Sequence, residues 1–307
     1  LPMDMSWNVK RFLDIVQPDC AIFIKYEFWM NYLLELKKRQ IKTYIVSAIF
    51  RESQLFFRSY GGFYRRLLKS FSHLFVQNDE SVRLLHSIGV DNVTKVGDTR
   101  FDRVADIAAK SKDLPIVQAF KSDAKVLIAG SSWPNDENIL LPFFNQNLSL
   151  KLIIAPHEID EGHLQSIISQ LKRPYVRYSQ ATIENVKEVD CLIIDCFGLL
   201  SSIYRYGEIA YVGGGFGVGI HNILEAAVYG IPVVFGPNFR KFQEAVDLHQ
   251  EGGAFVVDSY ESFSQIMSEF LEENSSLYSS ACKVSNDYSQ ANKGATSKVV
   301  NAIFNQR

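Results

Sequence analysis

Between residues 209 and 225 the chain reads Ile209-Ala-Tyr-Val-Gly213-Gly214-Gly215-Phe-Gly-Val-Gly219-Ile-His221-Asn222-Ile-Leu-Glu225: an apolar run, five glycines in seven residues, then three polar side chains. Glycine lets a backbone turn sharply and lets a ligand approach its amides. The spacing of Ile220, Leu224, Ala227 and Val228 predicts a helix over 220–229. Its unpaired first N–H groups and positive dipole end would suit an anion. His221 and Asn222 would sit in the first turn and donate to phosphate oxygens, with Glu225 three residues on accepting from ribose hydroxyls. Singly, each has a plainer reading: a tight turn, a cap, an acid answering the dipole. Their combination in one turn points to a nucleotide. The glycine order does not fit a dinucleotide fingerprint with its acidic residue about 20 positions on.

Other strand ends carry similar groups. Gly236-Pro237-Asn238 follows an apolar run; it is either a simple turn or part of a ligand rim. Ser131 and Ser132 follow another, where hydroxyls either cap a helix or face a phosphate, and His157 ends a third, as a helix-entry residue or a nucleotide contact. Glu27 comes just after the run 20–24, placed either to bind a sugar hydroxyl or basic group or to cap the next helix. From Lys37 to Lys69 there are nine Lys/Arg, among them Arg51, Arg58, Arg65 and Arg66, against one acid, Glu52, with Phe56, Phe57, Tyr60, Phe63 and Tyr64 interleaved. Such a surface suits anionic lipid head groups; the alternative is a solvated helix face over buried aromatics.

The elements that must hold these groups alternate. Strands are predicted at 20–24, 43–47, 74–77, 125–129, 151–155, 191–194, 209–212, 232–235 and 254–257, mostly as continuous apolar runs, the mark of parallel strands covered on both faces. Helices are predicted at 9–16, 28–39, 158–171, 220–229, 239–250 and 275–302. Strand–helix alternation gives doubly wound α/β sheets. The polar stretch 110–123, containing Pro115, divides a domain 1–113 from a domain 114–307, whose last helix is expected to fold back on the first. A length of 307 residues suits two domains of about 150 each. The chain opens on Leu1-Pro2-Met3-Asp4 with a helical pattern almost at once, so it is expected to start inside a domain.

Composition narrows the partners. A net charge of −2 gives no global pull toward nucleic acid, and no motif supports such binding. Cys20, Cys191, Cys196 and Cys282 lack CxxC spacing and read as reduced thiols of a cytoplasmic protein. No metal is expected from the six histidines, which form no HExxH or Cys/His cluster, and no signal peptide or apolar run of 18 residues occurs.

Together these motifs resemble the 3-deoxy-D-manno-octulosonic acid (Kdo) transferase family. The resemblance rests on Gly213-Gly-Gly-Phe through Gly219-Ile-His-Asn-Ile-Leu-Glu225-Ala-Ala-x-x-Gly230-x-Pro-Val-Val-Phe-Gly-Pro-Asn238. It also rests on Leu1-Pro-Met-Asp, Gln17-Pro-Asp, Glu27-Phe-Trp29, Val96-Gly-Asp-Thr-Arg-Phe-Asp102, Ala129-Gly-Ser-Ser132 and Gly294-Ala295. It implies the GT-B fold, two Rossmann-like lobes with a cleft between them, and transfer of Kdo from CMP-Kdo to lipid A precursor on the cytoplasmic face of the bacterial inner membrane, without cofactor or metal. Ser131, Ser132, His221, Asn222 and Glu225 would hold CMP, together with His157, Gly214, Gly215, Gly236 and Asn238. Glu27 would lie near the sugar or acceptor, and the basic aromatic stretch would meet the phosphorylated lipid. Two departures bear on activity. The family's Gly-Ala-x-x-Gly-Glu loop, source of the expected general base, has no counterpart between Leu1 and Arg307, and Pro156-His157-Glu158 stands where the family often has Pro-Arg-His. The alternatives are a UDP-sugar enzyme of the same architecture, such as a lipid-linked glycosyltransferase or a UDP-GlcNAc 2-epimerase, and an inactive nucleotide-binding fragment.

Overall fold

The computed structural model describes residues 1–305, which fall into two compact units, Leu1–Asp102 with the segment from Asn292, and Arg103–Ala291. The first unit runs α1 (Ser6–Val16), β1 (Cys20–Ile24), α2 (Met30–Lys38), β2 (Lys42–Ala48), α3 (Gly62–Leu68), β3 (His73–Val76), α4 (Asp79–Ser87), β4 (Val93–Lys95) and the start of α5 (Thr99–Lys110). Its four strands pair in sequence order, all parallel. Phe23, Ile45, Leu74 and Val76 bury one sheet face against Leu33, Leu36, Leu67 and Leu84 of the helices. That burial is what makes apolar runs read as strands here.

The second unit holds α6 (Pro115–Lys121), β5 (Lys125–Ser132), α7 (Pro134–Gln146), β6 (Leu150–Pro156), α8 (Glu161–Gln170), β7 (Tyr175–Arg177), β8 (Cys191–Ile193), α9 (Leu200–Ile203), β9 (Ile209–Val212), α10 (Leu224–Ala227), β10 (Val233–Phe235), α11 (Gln243–Glu251), β11 (Ala254–Val256), α12 (Tyr260–Leu271) and α13 (Ser276–Ala291). Its sheet has the order β11-β10-β9-β5-β6-β8-β7 and is parallel throughout. From β5 the chain builds outward through β6 to β7 and β8, then returns to the other side of β5 with β9. Strand order therefore reverses between β5 and β9, the place where open α/β sheets leave a crevice at their carboxyl ends.

The expected strands are present within a residue of their bounds, except that β5 runs three residues past 129 to Ser132, and β4 and β7, three residues each, are additional. Three expected helices differ. That expected over 239–250 begins only at Gln243, as α11. The segment 275–302 breaks at residues 292–294, so that α14 (Ala295–Phe304) is a separate helix, entered through Gly294 at φ 98°. The helix predicted from Ile220 is only α10, a single turn beginning at Leu224. Its apolar spacing comes from the burial of a loop: Ile220 and Ile223 are 3% and 0% exposed without being helical.

Candidate functional site

The carboxyl ends of β5, β6, β9 and β10 bring together Ser131, Ser132, His157, Gly214, Gly215 and Gly236. The glycines answer a packing need. Gly214 adopts φ 91°, open to glycine at little cost, and a Cβ on Gly215 would meet Gly236 Cα at 2.6 Å. The two loops thus touch backbone to backbone, and Asn238 stitches them: its Nδ2 donates to Gly217 O at 2.8 Å and its amide to Gly215 O at 2.9 Å.

This corrects the expectation of an amide cradle at a helix start. No helix begins at Ile220, and the amides of Gly213, Gly214, Gly217, Gly219, Ile220 and His221 donate within the protein. Gly214 N donates to Asp136 Oδ2 at 2.9 Å, and the Tyr211 hydroxyl donates to Asp136 Oδ1 at 2.7 Å. Asp136, fully buried, also accepts from Trp133 N at 2.9 Å, so one carboxylate joins the start of α7 to the glycine loop. Burial and this neighbouring charge push the Tyr211 hydroxyl far above its ordinary range. Ser132 is likewise committed inward: fully buried, it donates to Glu137 Oε1 at 2.8 Å, and so supports the site rather than facing a ligand. Glu137 meets His163 Nε2 at 3.0 Å, yet burial dominates and raises its pKa. Ser131 stays half-buried, with φ 53°, in the left-handed region where a serine is strained.

Beside these loops three rings gather, with His157 exposed and Trp133 and His221 half-buried. His157 lies flat against both Trp133, at 4.7 Å between centroids, and His221, at 4.4 Å, with both pairs inclined by 26°. Trp133 Nε1 donates to His221 Nε2 at 3.1 Å. An indole N–H can only donate, so Nε2 of His221 carries no proton and the neutral ring holds its proton on Nδ1. Burial first, then neighbouring His157, lowers the His221 pKa, against a smaller pull from Asp136. Farther along the loop, Asn222 Nδ2 donates to Glu225 Oε1 at 3.0 Å, leaving the second carboxylate oxygen of a half-buried Glu225 to accept elsewhere.

The first unit carries the remaining candidates. Glu27 is exposed and accepts from Trp29 Nε1; the cap of α2 is supplied instead by Asp4, which accepts from Asn31 N at 3.1 Å. Arg65 is spent on the loop before it, donating to the carbonyls of Phe56, Arg58 and Ser59. Arg58 and Arg66 are exposed, and the Arg51 amide closes a turn on Gln54. Of the interleaved aromatics Phe56 is core, while Tyr60 and Phe63 are 73% and 49% exposed, so the stretch is neither wholly buried nor wholly solvated. Among the described residues no three His, Cys, Asp or Glu gather as a metal cluster.

Trp133, Asp136 and Glu137 went unnoticed in the sequence. Pro134 at the first helical position with Asp136 two residues on is a helix-start signature that marks them.

A family model described as 3-Deoxy-D-manno-octulosonic-acid transferase (kdotransferase) matches residues 1–103. The 3-deoxy-D-manno-octulosonic acid transferase of Aquifex aeolicus is 30% identical over 263 residues, covering 84% of this chain and 67% of its own length. That of Rickettsia bellii is 28% identical over 285 residues, covering 90% of this chain and 67% of its own. The chain thus spans about two thirds of these curated relatives. Among solved structures, the UDP-GlcNAc 2-epimerase of Neisseria meningitidis aligns at TM-score 0.67 with 18% identity, over 98% of this chain and 81% of that one. The C-terminal CMP-Kdo binding domain of WaaA from Acinetobacter baumannii aligns at 0.50 with 22% identity, over 62% of this chain and 99% of that one. These likenesses show the fold, GT-B with two Rossmann-like lobes.

Proposed function

The chain belongs to the Kdo transferase family of glycosyltransferases, and from that premise we propose that it takes part in moving Kdo from CMP-Kdo to lipid A precursor by one inverting displacement. The observation that carries the reading is the stack of Trp133, His157 and His221 at the strand-order reversal, in a chain 30% identical to a Kdo transferase. A carboxylate takes the proton of an acceptor sugar hydroxyl as that oxygen bonds to the anomeric carbon of Kdo. The bond from that carbon to the phosphate oxygen breaks, and CMP leaves with the electron pair. His221, holding its proton on Nδ1, donates to the departing phosphate, and Ser131 faces the same group. One such donor is worth about 3–4 kcal/mol in the transition state. Glu225 accepts from the ribose through its second oxygen. The family resemblance assigns the base to a Glu of the Gly-Ala-x-x-Gly-Glu loop; within this chain it would set Glu27 near the sugar or acceptor. The lipid acceptor and the basic surface support a place at the cytoplasmic face of the inner membrane; no helix among the described residues is long and apolar enough to cross a membrane.

Thermal unfolding with nucleotides tests the donor. CMP at about 100 times its Kd should add about 2.7 kcal/mol of stability, and UDP should add little. Stabilisation by UDP and not by CMP would replace this reading with a UDP-sugar one, which the fold-level likeness to a UDP-GlcNAc 2-epimerase keeps in view. Transfer from CMP-Kdo to lipid A precursor by the full-length protein then tests the reaction.

A further inference from the structure

The first unit contains an apolar pocket of about 440 Å³ that the donor chemistry does not use, lined by Phe28, Met30, Leu55, Phe56, Phe63 and Tyr64. Side chains of this kind ordinarily close over one another. Here Leu55, Phe63 and Tyr64 stand 42%, 49% and 38% exposed around the opening, so the pocket is reached from outside. An apolar hollow open to water marks a binding site more often than a packing fault.

Charge says what enters. Phe63 and Leu67 lie one turn apart on α3, and Arg66, exposed, projects from the same helix three residues after Phe63; Arg58, also exposed, follows the turn that carries Leu55 and Phe56. The one acid of this stretch, Glu52, is met by Arg83 at 3.3 Å. Arg65 holds the loop in shape through three carbonyls, which keeps the pocket's rim defined while Arg58 and Arg66 face solvent. Apolar depth with a cationic rim fits an amphiphile bearing an anionic head: a chain that goes in and a phosphate that stays at the surface.

We propose that this pocket takes one acyl chain of a phosphorylated membrane lipid, the acceptor, with Arg58 and Arg66 beside its phosphate. The inference rests on the lipid-acceptor reading above and deepens it: the surface extracts a chain rather than merely touching head groups.

Calorimetric titration of the full chain with dodecyl phosphate, kept below its micelle concentration, tests this against inorganic phosphate and against phosphatidylglycerol vesicles. Saturable one-to-one binding of dodecyl phosphate and none of inorganic phosphate are expected. Phe63→Glu and Leu55→Glu, both at exposed positions, should each weaken dodecyl phosphate at least tenfold, and Arg66→Ser several-fold with a flatter salt dependence. Equal affinity for inorganic phosphate, or an unchanged affinity in both Phe63→Glu and Leu55→Glu, overturns the proposal. So does vesicle binding that Arg66→Ser abolishes and Phe63→Glu leaves intact, which is surface charge alone. Circular dichroism establishes that each variant is folded. CMP stabilisation is read in the same samples, so that loss of the nucleotide response with alkyl phosphate binding intact removes the donor reading and leaves this one standing.

Discussion

His221 is defined by what it touches. Trp133 Nε1 occupies its Nε2, His157 lies flat against it, and Asp136 adds a distant negative charge, with burial lowering its pKa overall. A hydrogen bond to the neutral form opposes protonation. Trp133→Phe keeps an aromatic ring against His157 and removes that donor, so the His221 pKa should rise toward its ordinary value, and proton and nitrogen NMR of the imidazole should show Nδ1 and Nε2 tautomers mixing. A histidine whose folded pKa is depressed takes its proton in the unfolded chain first, so it costs stability as pH falls from about 6.5 through the lower folded value. Trp133→Phe should shrink that acid loss while costing about 0.5–1.5 kcal/mol at neutral pH for the missing hydrogen bond. An unmoved titration curve with the same tautomer would mean that the indole does not set the ring's protonation.

Helix α7 is the element on which the candidate site is built. Its first turn supplies Asp136 to the glycine loop and Glu137 to Ser132; its far end is closed by Arg173, whose Nη1 donates to the carbonyls of Phe144, Asn147 and Leu150 and whose guanidinium lies 4.2 Å over the Phe144 ring. Arg173 is 7% exposed, with Asp190 at 3.3 Å. Arg173→Met strands several carbonyls and should cost at least about 3 kcal/mol, seen as a lower urea midpoint at unchanged slope. Arg173→Lys should not restore it, because a single ammonium cannot span the fork; a wild-type midpoint in either variant would refute this. Much of this architecture was legible in the sequence for one reason: parallel strands covered on both faces must be apolar throughout, so β5, β6, β8 and β9 announce themselves as runs. Three-residue β4 and β7 leave too few residues for that signal. The glycine cluster was visible, but its cause was not: Gly215 and Gly236 lie 21 positions apart, and only the pairing of β9 with β10 makes them touch. The stack of Trp133, His157 and His221 was hidden similarly, since its rings come from the ends of β5, β6 and β9 and become neighbours through strand order alone.

At the scale of the whole chain, the first unit is made from both ends of the described sequence, leaving at α5 and returning before α14. Asp102 stands at the exit and Gly294 at the return, and the first accepts from the second: Gly294 N at 2.6 Å and Thr296 N at 2.7 Å both donate to its carboxylate. Two short motifs singled out in the sequence, ending at Asp102 and beginning at Gly294, are thereby one contact. Beyond it α14 contributes Val299 to a small core with Tyr44, Val46, Phe75 and Val96, which alone is a modest grip for a ten-residue helix. Burial opposes ionisation of Asp102, but the Thr296 and Gly294 amides outweigh it and hold its carboxyl below the usual range. A depressed carboxyl contributes stability that is complete above its unfolded pKa of about 3.9 and is lost as pH falls through the folded value. Asp102→Ala removes two charge-assisted hydrogen bonds, each worth about 1.5–3 kcal/mol, and should raise amide exchange across 295–304 by about tenfold or more at neutral pH, while α2 and α4 keep their protection. Wild-type should approach the same fast exchange only in acid. Equal protection of α14 in wild-type and Asp102→Ala would show that the Val299 core suffices to hold the helix, and that the two motifs are joined for some reason other than attachment.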